Sequence, residues 1–173
     1  MVQKMQLSQP GSATPSHEVD TRPPEVAELL AQVAKFLEEG QPGAALERIS
    51  RAKISSPWLT NAVGVCQLRL GNAKVAIDTF RGLVLATGGL ILRADVPTLF
   101  KVNFATALLA DGNLSGGLTA LDEIRDEGHP AVREIREAVR RWKEGMTFWQ
   151  KLWWYAGGQP PRPLVLDFAL GRV

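Results

Sequence analysis

SPWLTNAVGVCQLRLGNAKVAIDTFRGLVL, Ser56 to Leu85, is the stretch that decides the fold. It reads as two antiparallel helices joined by a tight turn at Gly71-Asn72. Ser56 before Pro57 marks a helix start, because Ser caps free amide groups and Pro fits the first turn. Gly71 supplies the positive φ that ends the first helix. Gly64 is small where the two helices cross closely. Ala76, Phe80 and Leu83 then recur at four- and three-residue spacing, one face of the second helix.

The same layout occurs three times around the turn glycines Gly40, Gly71 and Gly112. Five residues after each glycine stand Ala45, Ala76 and Gly117, all small. Nine after come Ile49, Phe80 and Leu121, and twelve after come Ala52, Leu83 and Ile124. Seven before stand Val33, Gly64 and Ala105. The small residues allow close helix approach, and the apolar ones fill the layer between neighbouring pairs. Such a unit does not bury its face alone, so about three are needed for stability.

This pattern resembles the tetratricopeptide repeat (TPR), most clearly in NFATALLADGNLSGGLTALDEI, Asn103 to Ile124. GQPGAALERISRAKISSP, Gly40 to Pro57, adds the family's small-apolar-small series and its closing proline. The resemblance covers residues 24–128. Leu29, Thr60 and Lys101 stand where the family usually has an aromatic, and polar Gln67 stands where the other copies have Phe36 and Leu108. The copies are divergent, and a wider group of TPR-like helical pairs fits the same pattern. The resemblance implies an all-α fold, a short right-handed solenoid of antiparallel helix pairs.

In that family the first helices line a concave groove. The resemblance therefore points to Leu30, Ala34, Leu37, Asn61, Val65, Arg69, Val102, Thr106 and Leu109 as groove residues. The family's best-known peptide site clamps a terminal carboxylate with Lys, Asn and Arg. Only Asn61 and Arg69 have suitable chemistry here, so the implied ligand is an apolar strand or helix whose backbone these two residues orient.

Composition sets the bounds. A chain of 173 residues suits one domain, and 45% hydrophobic content supplies a core. A formal net charge of +2 gives no concentrated basic footprint, so nucleic acid is not an expected partner. Cys66 is the single cysteine and reads as a buried thiol. The first residues lack a long apolar run, so neither a signal peptide nor a membrane span is expected, and the expected location is cytoplasmic.

Four segments follow. Residues 1–22, rich in Ser, Thr, Gln and Pro, read as a flexible tail. Residues 23–128 read as three helical hairpins, with the second helix of the first running to about Ile54. Gly88-Gly89 should stop the second pair, Leu90-Ile91-Leu92 should pack back on the core, and Asp95 should start the next helix. The last repeat helix should run from near Ser115 to Gly128.

Residues 129–157 carry Val132, Ile135, Val139, Trp142, Met146, Trp149 and Trp153 at alternating three- and four-residue spacing. That spacing predicts one continuous capping helix of about 25 residues, with a buried tryptophan stripe. Residues 158–173 end in LVLDFAL, too apolar for a free tail. They are expected to pack on the domain, in the groove or beside the last helix, or to exchange into a second chain as a symmetric dimer.

No catalytic constellation, metal site or cofactor motif emerges. His129 precedes Pro130 at a helix start and has no Cys cluster near it. GNLSGG, Gly112 to Gly117, lacks the Lys-Ser/Thr of a phosphate loop, and its glycines suit a turn and close packing. Asp122-Glu123 and Asp126-Glu127 read as a solvated face. Arg133, Arg136, Arg140 and Lys143 form a basic row interleaved with Glu134, Glu137 and Glu144, which dilutes its field. The expected function is a non-enzymatic adaptor that binds a protein or peptide in the groove. The alternative is a membrane-surface protein that uses Trp142, Phe148, Trp149, Trp153 and Trp154 on the last helix.

Overall fold

A computed structural model describes residues 22–86, 89, 91–158 and 163–173. Among these residues the regular secondary structure is all helical apart from one isolated antiparallel bridge between Leu85 and Leu92. Eight helices follow in order: α1 Pro24–Glu38, α2 Pro42–Ala52, α3 Pro57–Arg69, α4 Ala73–Val84, α5 Thr98–Ala110, α6 Leu114–Glu123, α7 Pro130–Glu144 and α8 Phe148–Tyr155. The expected tail over residues 1–22 lies outside the described residues except for Arg22.

The helices pack as antiparallel pairs, α1 on α2, α3 on α4 and α5 on α6, with α3 and α5 in the middle. Each turn glycine adopts the left-handed conformation, with φ of 71° at Gly40, 82° at Gly71 and 81° at Gly112. Ser56 caps α3 by accepting from the Trp58 amide at 3.3 Å. Equivalent positions share one environment: Val33, Gly64 and Ala105 are buried, as are Ala45, Ala76 and Gly117. The reason is contact distance. A Cβ on Gly64 would sit 2.5 Å from the Phe80 ring, and one on Gly117 would sit 2.5 Å from the Leu109 side chain. α3 and α5 are apolar nearly all round because helices flank them on several sides.

α7 lays Ala131, Val132, Ile135, Ala138, Val139 and Trp142 into the interior and packs on α5. His129 starts this helix, its Nδ1 accepting from the Ala131 amide at 3.2 Å. The expected continuous terminal helix does not form. α7 stops at Glu144, and Thr147 opens α8 with a reciprocal cap. Its hydroxyl accepts from the Gln150 amide at 3.3 Å, and Gln150 Oε1 accepts from the Thr147 amide at 2.9 Å. That capping box, after Gly145, resets the helix phase. Trp142 and Met146 stay inside, whereas Trp149 is 73% exposed and Trp153 66% exposed. The buried tryptophan stripe therefore ends before α8.

Other boundaries also move. α2 ends at Ala52, short of Ile54, where Lys53 turns left-handed with φ of 53°. α4 ends at Val84, before the glycines, because Leu85 turns extended and pairs with Leu92. Gly88 and Leu90 lie outside the described residues. Leu92 packs against the core, but Ile91 is 70% exposed, which corrects the expectation that it folds back. Asp95 does not cap α5; it pairs with Arg93. α6 ends at Glu123, where Ile124 leaves helical geometry yet remains buried.

Candidate functional site

Two surfaces stand out, one covered and one open. The covered surface is the face of α3 and α5 that carries Asn61, Arg69 and Asn103. An amide in the middle of an apolar helix needs a partner, because a buried unpaired amide is costly. Asn103 Nδ2 donates to Asn61 Oδ1 at 2.9 Å and to the Arg172 carbonyl at 2.8 Å. The Arg172 amide donates back to Asn103 Oδ1 at 3.0 Å. Asn61 Nδ2 also reaches the Arg172 carbonyl, at 3.3 Å. Arg69 donates to the carbonyls of Leu170 at 2.5 Å and Gly171 at 3.1 Å.

The C-terminal segment thus lies across this face. Leu164, Leu166, Phe168, Leu170 and Val173 pack against the core, while Val165, Asp167 and Ala169 point outward. Such alternation is that of an extended strand. Two ion pairs tie the segment to α7: Arg141 to Asp167 at 2.9 Å and Arg172 to Glu134 at 2.6 Å. Gly171, with φ of 74°, sits over Val65, whose side chain would lie 3.0 Å from an added Cβ.

Asn61, Val65 and Arg69 therefore meet the chain's own end. Thr106 satisfies its hydroxyl within its own helix, on the Val102 carbonyl at 2.8 Å. Leu30, Leu37, Val102 and Leu109 are buried core, and Ala34 is half-buried. Asn103 was not foreseen; the signal was a lone amide within the apolar run TLFKVNFATALLA. Burial pushes the nearby Cys66 thiol up to about 11, against the pull of the Arg69 charge, so it is a neutral thiol near neutral pH. Burial also lowers the Arg69 pKa from its ordinary value.

Asn103→Ala is expected to leave the Arg172 amide without its acceptor and Asn61 Oδ1 without its donor. The expected loss is about 1–3 kcal/mol in a chemical melt, with faster hydrogen exchange at Arg172. A melt and an exchange rate equal to wild type would contradict this hydrogen-bond assignment.

The open surface is α8. Trp154 turns inward, edge-on to Trp142 with ring centroids 5.3 Å apart, and Lys143 lies 5.8 Å from the Trp154 centroid. Phe148, Trp149, Leu152 and Trp153 fall together on the opposite face, and all are exposed. No charged residue interrupts that face, since Lys151 is the only ion in α8 and lies on the other side. Of the tryptophans expected at an interface, Trp149 and Trp153 are open, Trp142 is buried and Trp154 is half-buried. A cleft of about 700 Å³ beside α8 is lined by Leu118, Val139, Arg140, Lys151 and Tyr155 among others.

Two residues of the basic row on α7, Arg136 and Arg140, are paired with acids. Arg140 bonds Glu137 and Glu144, and Arg136 bonds Glu127. Among the described residues, no group of His, Cys, Asp or Glu is placed to hold a metal ion. No helix there is long and apolar enough to cross a membrane. The chain matches no protein family, no curated protein and no solved structure.

Proposed function

We propose that this chain is a non-catalytic protein–protein interaction module built from TPR-like helix pairs. Its docking surface is the aromatic face of α8. One observation carries the reading: Phe148, Trp149, Leu152 and Trp153 form a contiguous exposed apolar face on one short helix. Each such aromatic ring buries about 150–250 Å² when covered, and Trp and Tyr are typical interface anchors. An exposed patch of that kind marks a binding site. The groove reading is revised, because the chain's own end occupies Asn61 and Arg69.

A protein partner is favoured over a lipid surface on charge grounds. Adsorption of an amphipathic helix to a lipid surface strengthens with electrostatic attraction between its basic residues and anionic lipid. Arg136, Arg140 and Arg141 are already paired with Glu127, Glu137, Glu144 and Asp167. The proposed setting is cytoplasmic and free of cofactors. Photo-crosslinking tests the reading. A photoreactive residue in place of Trp149 should yield a discrete adduct with a protein from native cell extract, and one in place of exposed Val75 on α4 should not. Adducts only to lipid, with vesicle co-sedimentation lost in Trp149→Ser, would move the protein to the membrane-surface class.

A further inference from the structure

We infer that the face of α3 and α5 bearing Asn61, Arg69 and Asn103 is a binding site for an extended peptide strand, with residues 164–173 as its displaceable internal occupant. This is independent of the α8 reading. The site recognises a strand as a strand. The α3 and α5 side chains Asn61, Arg69 and Asn103 hydrogen-bond to the main chain of the occupant, at Leu170, Gly171 and Arg172. Asn103 makes the paired donor and acceptor contacts that a neighbouring β-strand would make.

The face is also built to persist when vacated. Asn103 and Asn61 bond to each other at 2.9 Å, so each retains a partner when the tail leaves. The tail is held more lightly than the helices. Its apolar side chains are only half-buried, and the Asp167 and Arg172 ion pairs are solvent-exposed. Segments held by such contacts open locally before the core does.

Side-chain constraints define the partner. Apolar residues alternate along the strand, as at Leu166, Phe168 and Leu170. A glycine follows where the backbone passes Val65, and then a basic residue faces Glu134. The fitting partner is therefore a protein segment of the form apolar-x-apolar-x-apolar-Gly-basic-apolar. It competes with the internal tail, so the tail sets the threshold for binding by mass action.

The test starts from the full-length folded chain. A protease site is placed between residues 158 and 163, and the folded protein is nicked. A fluorescein-labelled peptide of residues 163–173 is then followed by anisotropy. The nicked protein should take up the peptide at least about tenfold more tightly than the intact protein, and a Gly171→Val peptide should bind at least about tenfold more weakly. An Arg172→Glu peptide should also lose affinity, since it faces Glu134 with like charge. Altering the peptide leaves protein folding untouched. A tail that never exchanges while the nicked protein melts as wild type would show a permanent structural strand and overturn the proposal. Loss of the tail with no rebinding would overturn it too. A tail-dependent dimer of the intact chain in sedimentation would assign the face to a second copy, and that result also defeats the internal-occupant reading.

Discussion

Trp142→Ala is expected to destabilise the protein by about 3–5 kcal/mol, while Trp149→Ala changes stability by no more than about 0.5 kcal/mol. The two residues lie on the same sequence stripe and differ only in what covers them. Trp142 is 5% exposed, sits at the end of α7 and receives the edge of Trp154. Removing it leaves a cavity that a close-packed interior fills poorly, and it removes one of the ring contacts of Trp154. Trp149 lies beyond the capping box, on the open side of α8, and its ring loses little contact on truncation. Chemical melts of the two variants decide the matter. Equal, large losses for both would restore one continuous buried stripe and remove α8 as a free surface.

Phe80→Ala is expected to cost about 3–5 kcal/mol, and Gly64→Leu about 1–3 kcal/mol or more, for opposite reasons. Phe80 is fully buried on α4, with its ring against the bare Cα of Gly64 on α3. Truncation opens a void at that crossing. A side chain on Gly64 instead drives atoms into a ring that has nowhere to move. The two sites are therefore coupled. Gly64→Ala combined with Phe80→Leu should be less destabilised than the sum of the single variants, by about 0.5–3 kcal/mol. Strict additivity across that cycle would show that the α3–α4 crossing is looser than the structure has it.

The helix pairs were legible because small residues recur at fixed offsets from the turn glycines, and that spacing directly reflects backbone approach. Ser56, Gly64, Gly71 and Phe80 each announced a local role that the structure retains. The break between α7 and α8 was hidden by a competing signal. Periodicity continued through Trp149 and Trp153, while the Thr147-x-x-Gln150 cap, worth more locally, ended one helix and began another. Leu85 and Leu92 were similarly obscured, since one isolated bridge has no pattern of its own.

The candidate site was legible in part. Asn61 and Arg69 stood out as polar groups on first-helix faces, and the last residues stood out as too apolar for solvent. Asn103 was absorbed into the repeat pattern because it opens the stretch Asn103 to Ile124, where the recurring small and apolar positions are clearest. Burial, visible only in three dimensions, shows that this amide bonds both Asn61 and the backbone of Arg172. The open face of α8 was likewise beyond periodicity, because exposure depends on which helix lies opposite.

The central claim, that α8 is a protein-docking surface, is tested most directly by quantitative affinity capture from native cell extract. Wild type is compared with the triple variant Phe148→Ser, Trp149→Ser, Trp153→Ser, with matched thermal melts as the fold control. The expected result is a specific protein retained by wild type and lost from the triple variant while both melt alike. Retention of the same protein by the triple variant, at equal occupancy, would contradict the claim.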